Sequence, residues 1–172
     1  MTNARTARML RVDQAGEYGA TRIYAGQLAV MGARAPHAAE VAGMAAQEAD
    51  HRRRFDALIA KRGVRPTALQ PLWSVAGFAL GAATALIGPE AAMACTAAIE
   101  TEIDKHYTDQ LDDLADGSDP ELASMIEEFR DDEREHLSAA IDAGAERAPA
   151  YPLLSGAIRL GCRMAIRLST RI

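Results

Sequence analysis

Polar and apolar positions along the 172-residue chain fall into six stretches separated by Gly and Pro punctuation, and each stretch reads as a helix. The first is predicted over about Arg5 to Met31, stopped by Gly32 and Pro36, and the second over Pro36 to Arg62, stopped by Gly63 and Pro66. A third, about Leu72 to Ile87, opens after Pro71 and closes at Gly88 and Pro89. The fourth follows to Ala115, where Gly117, Ser118, Asp119 and Pro120 supply a stop, a capping side chain and a proline suited to the first helical position. The fifth reaches Ala143, and beyond Pro149 and Pro152 the sixth covers about 152–169. No connection is long enough to separate two domains, so 1–172 reads as a single one.

Two stretches depart from the ordinary mixture of charged and apolar positions. Residues 66–89 carry no charge. The 16-residue helix expected there is about 24 Å long, short of the ~30 Å of bilayer hydrocarbon. Trp73, Gly77 and Gly81 suit an interfacial or closely packed helix, and buried, interfacial and inserted placements all stay open. In the sixth stretch Arg159, Arg163, Arg167 and Arg171 recur every four residues, drifting about 40° per step into one stripe about 120° wide. Leu153, Leu154, Ile158, Leu160, Met164, Ile166 and Leu168 fill the remainder. With no acid on its arginine face, this helix is expected to dock on an anionic membrane surface; the plainer reading is a solvated arginine face.

Composition narrows the fold class. There are 37 alanines and only 5% aromatic residues, which favours helices over strands and predicts an all-α protein. Net charge is -5, but 18 of the 24 acids lie within residues 90–146 beside three basic groups, while 147–172 hold five Arg and no acid. A nucleic-acid binder would present a basic face across the domain, so no nucleic acid is expected as a partner. Cys95 and Cys162 stand 67 positions apart in apolar surroundings, which argues against a disulfide framework and a cysteine metal site. Arg5, Arg8 and Arg11 are not followed by the apolar core of a signal peptide, so a place on the cytoplasmic face of the membrane is expected.

The chemistry is carried by two Glu-x-x-His tetrads, Glu48 to His51 and Glu133 to His136. On a helix, positions i and i+3 are neighbours, so each tetrad aims a carboxylate and an imidazole at one point. Glu17 lies 31 residues before Glu48 and Glu100 lies 33 before Glu133; Tyr24 and Tyr107 each follow their Glu by seven. The chain thus repeats itself, over about 5–62 and 90–145, as helix with Glu, turn, helix with Glu-x-x-His. Four antiparallel helices of this kind bring four carboxylates and two imidazoles to the bundle centre, the donor set of a di-iron or di-manganese site. Solvated helix residues are the usual fate of Glu, but Gly16, Gly19 and Ala20 beside Glu17, and Ala97, Ala98, Ile99 and Ile103 around Glu100, read as core. His37 is expected at the surface; His106 suits a core histidine, a partner behind the ligands or a substrate contact.

The string from Arg11 through Val12, Asp13, Gln14, Ala15, Gly16, Glu17 and Tyr18 to Ala20, then Arg22-Ile23-Tyr24-Ala25-Gly26-Gln27, resembles the opening of the demethoxyubiquinone hydroxylases of ubiquinone biosynthesis. Pro71-Leu72-Trp73, Gly77-Phe78-Ala79-Leu80-Gly81, Ala92 to Thr96, His106-Tyr107 and Gly161-Cys162-Arg163 extend the resemblance over essentially the whole chain. It implies a ferritin-like four-helix bundle with two additional membrane-facing helices. Two iron ions would be held by Glu17, Glu48, His51, Glu100, Glu133 and His136, with Glu48 and Glu133 bridging. Gln14 stands where many relatives have His, a position outside the ligand set. The implied reaction is hydroxylation of a demethoxy polyprenyl quinone with O₂ and reducing equivalents from NADH, without a dinucleotide-binding fold. His106 and Tyr107 are expected as a hydrogen-bonded gate between iron and quinone. A homo-oligomer and a lipid-presenting partner protein are also expected. A ferritin-like iron store or rubrerythrin-like peroxidase is the alternative.

Overall fold

The computed structural model describes residues 4–172. They form six α-helices: α1 (Ala4–Met31), α2 (Ala38–Arg62), α3 (Gln70–Ile87), α4 (Pro89–Leu114), α5 (Pro120–Asp142) and α6 (Tyr151–Ser169). A short 3₁₀ turn, Ala145–Arg147, lies between α5 and α6. The described residues contain no strand, as the composition predicts.

Most helix ends fall where the punctuation places them. Asp119 caps α5, its side chain accepting from the Leu122 amide at 3.1 Å, and Pro120 follows in the first turn. The same carboxylate binds Arg62 at the end of α2, which joins the two helices at that end of the bundle. Helix α2 begins at Ala38 rather than Pro36, because His37 takes a left-handed conformation (φ 63°) that no helix continues through. Helix α3 begins at Gln70, ahead of Pro71, since proline is tolerated in a first turn. The turn at 145–147 had no sequence signal beyond Gly144.

Helices α1, α2, α4 and α5 enclose two apolar clusters at opposite ends of the bundle. One gathers Leu10, Phe55, Leu122, Ile126 and Phe129; the other gathers Tyr24, Val41, Met93 and several small residues, among them Ala94 and Ala140. Burying each large side chain of this kind contributes roughly 1.5–3 kcal/mol. Between the clusters lies a layer of buried polar groups, described below. Helix α3 packs along α1, and α6 along α4.

The α1–α3 crossing is set by glycine. A Cβ at Gly81 would collide with the Ile23 carbonyl oxygen, one at Gly26 with that of Phe78, and one at Gly77 would stand 3.0 Å from that of Gly19. Backbones meet there without side chains between them. By contrast α6 buries only Ile158 and Ser169.

Replacing Gly81 by Ala is expected to cost ~1–3 kcal/mol through forced separation of the two helices. Gly43→Ala, on the exposed side of α2 where a Cβ meets nothing within 4 Å, should instead gain about 0.5–1 kcal/mol. Urea denaturation of both variants checks the pair, and equal midpoints would show that the crossing is not close-packed.

Candidate metal centre

Each of the four bundle helices turns one polar stripe inward between its apolar contacts. Glu17 on α1, Glu48 and His51 on α2, Glu100 on α4, and Glu133 and His136 on α5 are all buried. They form two groups. Glu17, Glu48, His51 and Glu133 offer ligand atoms lying within 4.8 Å of one another, and so do Glu48, Glu100, Glu133 and His136. Glu48 and Glu133 belong to both.

Imidazole orientation is uniform: Nδ1 points inward and Nε2 outward. His51 Nδ1 stands 3.4 Å from Glu17 and 3.3 Å from Glu133; His136 Nδ1 stands 3.4 Å from Glu48 and 3.1 Å from Glu133. Glu133 offers Oε1 to one ring and Oε2 to the other. Glu17 Oε2, Glu48 Oε1 and His51 Nδ1 are buried without a hydrogen-bond partner. Buried polar atoms are ordinarily satisfied. Converging lone pairs from four carboxylates and two imidazoles fit a pair of divalent cations, which would satisfy these atoms and neutralise the cluster.

A surrounding set of side chains holds these groups in place. Tyr24 donates its hydroxyl to Glu100 at 3.0 Å, and the Tyr107 hydroxyl donates to Glu17. Each tyrosine therefore serves the carboxylate of the other half of the sequence. His51 Nε2 lies 2.9 Å from Asp132 Oδ2, and His136 Nε2 lies 3.0 Å from Gln47 Oε1. Asp132 and Gln47 escaped the sequence reading, although each directly precedes the Glu of a tetrad. Asp13 also escaped it: fully enclosed, it accepts from Gln110 at 2.8 Å and lies 3.0 Å from His106 Nε2. Gln14, beside it, donates to Asp56 at 2.9 Å and touches none of the six. His37, only partly exposed, pairs with Glu40 at 2.6 Å.

Electrostatics follow from burial and mutual repulsion. Burial first, then the charge of Glu133, pushes Glu48 and Glu100 well above the usual carboxylate range; burial also raises Glu17. Glu133 is the exception: burial would raise it, but the hydrogen bond from His136 and the close approach of His51 hold it down at about 2. For His51 burial favours the neutral ring, and the contacts with Glu133 and Glu17 overcome this, raising it to about 11. Both tyrosine hydroxyls are driven upward by burial and by neighbouring carboxylates, so they remain donors.

An apolar cavity of about 530 Å³ lies beside this layer, walled by α1, α3, α4 and α6. A void of only about 10 Å³, lined by Tyr24, Thr96 and Glu100, shares Ala20, Ile23 and Ile99 with the cavity, so a closed neck of side chains stands between the cavity and Glu100. Helices α3 and α6 stand apart along the cavity, joined at one end where Trp73 Nε1–H donates to Ser169 at 2.9 Å. Leu72, Val75 and Leu86 of α3 and Leu153, Leu160 and Met164 of α6 are exposed. Among the described residues α3 alone is long and apolar enough to cross a membrane.

Neither His106 nor Tyr107 lines the cavity or the neck: Tyr107 donates to Glu17, and His106 lies against Asp13. One sequence expectation changes here. The arginine face of α6 does meet an acid. Glu102 of α4, 4% exposed, accepts from Arg159 at 2.6 Å and Arg163 at 2.8 Å. An acid on another helix cannot be seen from the α6 sequence.

The family described as ubiquinone biosynthesis protein COQ7 matches residues 4–169. A 3-demethoxyubiquinol 3-hydroxylase from Rhodospirillum rubrum is 56% identical over 165 residues, covering 96% of this chain and 77% of the relative. The Homo sapiens protein named NADPH-dependent 3-demethoxyubiquinone 3-hydroxylase, mitochondrial, is 50% identical, covering 100% and 80%. A mitochondrial 5-demethoxyubiquinone hydroxylase from Saccharomyces cerevisiae is 46% identical, covering 96% and 77%.

Glu133, held at about 2, adds stability as pH rises to about 4.5, and above that the stability of the metal-free chain should fall as pH rises further. His51 holds its proton to about 11 when folded against 6.5 unfolded, so its contribution is complete below pH 6.5 and is lost towards 11. Glu48 and Glu100, raised by burial, likewise bind more protons folded than unfolded and act in the same direction. A divalent ion replaces those protons, so the gain in melting temperature on adding Mn²⁺ should grow between about pH 6.5 and 9. Circular dichroism melts with chelator or Mn²⁺ test this; a pH-independent gain would contradict the assignment.

Proposed function

The chain belongs to the ubiquinone biosynthesis protein COQ7 family, and from that premise we propose that it hydroxylates the ring of a demethoxy polyprenyl quinone or quinol, as its relatives' names describe. The observation that carries the reading is the union of two parts. A buried carboxylate and imidazole cluster lies behind a closed neck of side chains, and in front of that neck is an apolar cavity between helices with exposed apolar faces. A planar ring with an isoprenoid tail matches that shape: tail along the cavity, ring against Ala20, Ile23 and Ile99, which must part to admit it.

In this reading the bundle is ferritin-like and Glu17, Glu48, His51, Glu100, Glu133 and His136 hold two iron ions. Glu48 and Glu133, which belong to both ligand groups, would serve both ions. Bound iron supplies the activation of O₂, one atom of which enters the ring while the other leaves as water. Ala20, Ile23 and Ile99 select a flat substrate and exclude bulk water. Tyr24 keeps Glu100 oriented beside the neck, while Tyr107, with Asp13, His106 and Gln110 behind it, keeps Glu17 oriented on the far side. Two electrons come from a nicotinamide cofactor. Mammalian relatives are named for NADPH, whereas the resemblance suggested NADH. Without a glycine-rich dinucleotide motif, contact with the cofactor is brief or passes through the reduced quinone.

The tail places the protein on a membrane. Exposed apolar residues of α3 and α6 enter the headgroup region beside the cavity mouth, and Arg167 and Arg171 meet anionic phosphates. Human and yeast relatives are named as mitochondrial proteins. The same apolar surface suits a lipid-presenting partner or a second copy of the chain. An iron store or peroxide-handling protein would share the ligands, but leaves the cavity and neck without a use.

Hydroxylation of a short-tailed demethoxyquinol by the iron-loaded protein, followed by chromatography of the product, tests the activity. Glu48→Ala should lose iron and turnover together. Ala20→Phe should fill the neck, cutting turnover by at least about tenfold, equivalent to ~1.4 kcal/mol, with iron content unchanged. Full turnover in that variant would refute the proposed route.

Arg159 and Arg163 are committed to Glu102, so the membrane test belongs to the other two arginines. Arg167→Gln with Arg171→Gln should weaken binding to anionic vesicles by up to about 2 kcal/mol, at ~1 kcal/mol per charge. The difference should fade with added salt and vanish on neutral vesicles. Unchanged binding at low salt would remove these residues from the contact.

A further inference from the structure

The buried cluster is nearly symmetric. Each half of the sequence contributes one outer glutamate held by a tyrosine from the other half, one shared glutamate and one histidine whose Nδ1 faces inward. The symmetry breaks at the atoms that receive the outward Nε2–H. For His51 the acceptor is the Asp132 carboxylate at 2.9 Å; for His136 it is the amide oxygen of Gln47 at 3.0 Å. These two residues occupy equivalent places, each one step before the glutamate of a tetrad.

Chemically the two acceptors differ. A carboxylate makes the stronger, charge-assisted hydrogen bond, draws the Nε2 proton towards itself and leaves Nδ1 the better electron donor. It also adds a negative charge one ring away from any cation at Nδ1. An amide oxygen orients its ring but does neither. Arg54, stacked on Phe129, gives its guanidinium hydrogen bonds to both oxygens of Glu128, so Asp132 feels its charge but makes no direct bond to it and keeps its oxygen for His51. The His51 ring is further fixed by stacking on Phe129 at 3.9 Å between centroids, whereas His136 meets Tyr24 edge-on at 6.5 Å.

We infer that Asp132 makes the two metal positions unequal, so that the position at His51 fills first and holds its ion more tightly than the position at His136. Asp132 is a positioning residue: it acts only through His51. The inference rests on the metal-binding reading of the preceding subsection and extends it by ranking two positions that the ligand list leaves identical. An ion at His51 would already be in place when the second arrives beside Glu100 and the neck, leaving the weaker position as the one nearer the substrate.

Titration of the full metal-free chain with Co²⁺, followed by its visible absorption, reads the two positions separately. The parent should take up two ions in two steps. His51→Gln should remove the tighter step and His136→Gln the weaker. Asp132→Asn keeps the size of the side chain and an acceptor oxygen but removes the charge, and should weaken the tighter step about 10–100-fold while the other moves little. Gln47→Glu should strengthen the weaker step, and Gln47→Glu combined with Asp132→Asn should reverse the order of filling. These last two variants add a carboxylate, so loss of fold cannot imitate their effect. Two ions taken up in a single step, or an Asp132→Asn variant that weakens both steps alike or neither, would overturn the inference alone. A parent that binds no Co²⁺ would overturn the metal reading and the inference with it.

Discussion

Enclosing four carboxylates and two imidazoles in a helical bundle carries a desolvation cost that apolar packing alone does not remove. Much of the molecule answers that constraint. Each inward glutamate is met by an imidazole, a tyrosine hydroxyl or another carboxylate; each imidazole is held on its outer edge by Asp132 or Gln47. Apolar clusters above and below keep water from relaxing the arrangement. In the metal-free chain the protons that raised carboxylates and His51 retain offset the charge that bound cations would offset, so charge and stability are coupled here.

The repeat of Glu, Glu-x-x-His and Tyr was legible because helical geometry converts fixed spacing into a shared face. It placed six side chains that the fold does bring together. Helix ends were legible for the same local reason, and the two-residue error at His37 arose from a left-handed residue that carries no glycine to announce it. What stayed hidden was contact between helices. Asp132 stands in the acid-rich stretch and Asp13 follows no repeat spacing, so only their contacts with His51 of α2 and His106 of α4 reveal them. Glu102 looked solvated for the same reason, and its burial changed the meaning of the arginine stripe. Tyr107 reaches Glu17 and His106 reaches Asp13, contacts set by the turn of α4 relative to α1.

The cavity owes its shape to two walls of different character. Helix α3 lies in backbone contact with α1 and cannot approach further or lean away without breaking the glycine crossing. Helix α6 is held by Ile158, by the Trp73–Ser169 hydrogen bond and by Glu102 gripping Arg159 and Arg163. With few buried contacts and several polar ties, α6 is the more loosely held of the two walls.

The exchanged tyrosines have a consequence for the chain as an object that could be divided. Because Tyr24 secures Glu100 and Tyr107 secures Glu17, neither half possesses a finished set of oriented ligands. A fragment ending in the uncharged stretch before α4 would carry a hydroxyl with no acid to serve and an acid with no hydroxyl. A finished donor set is thereby confined to the assembled polypeptide, and a nascent chain holds no complete cluster before its last bundle helix has arrived.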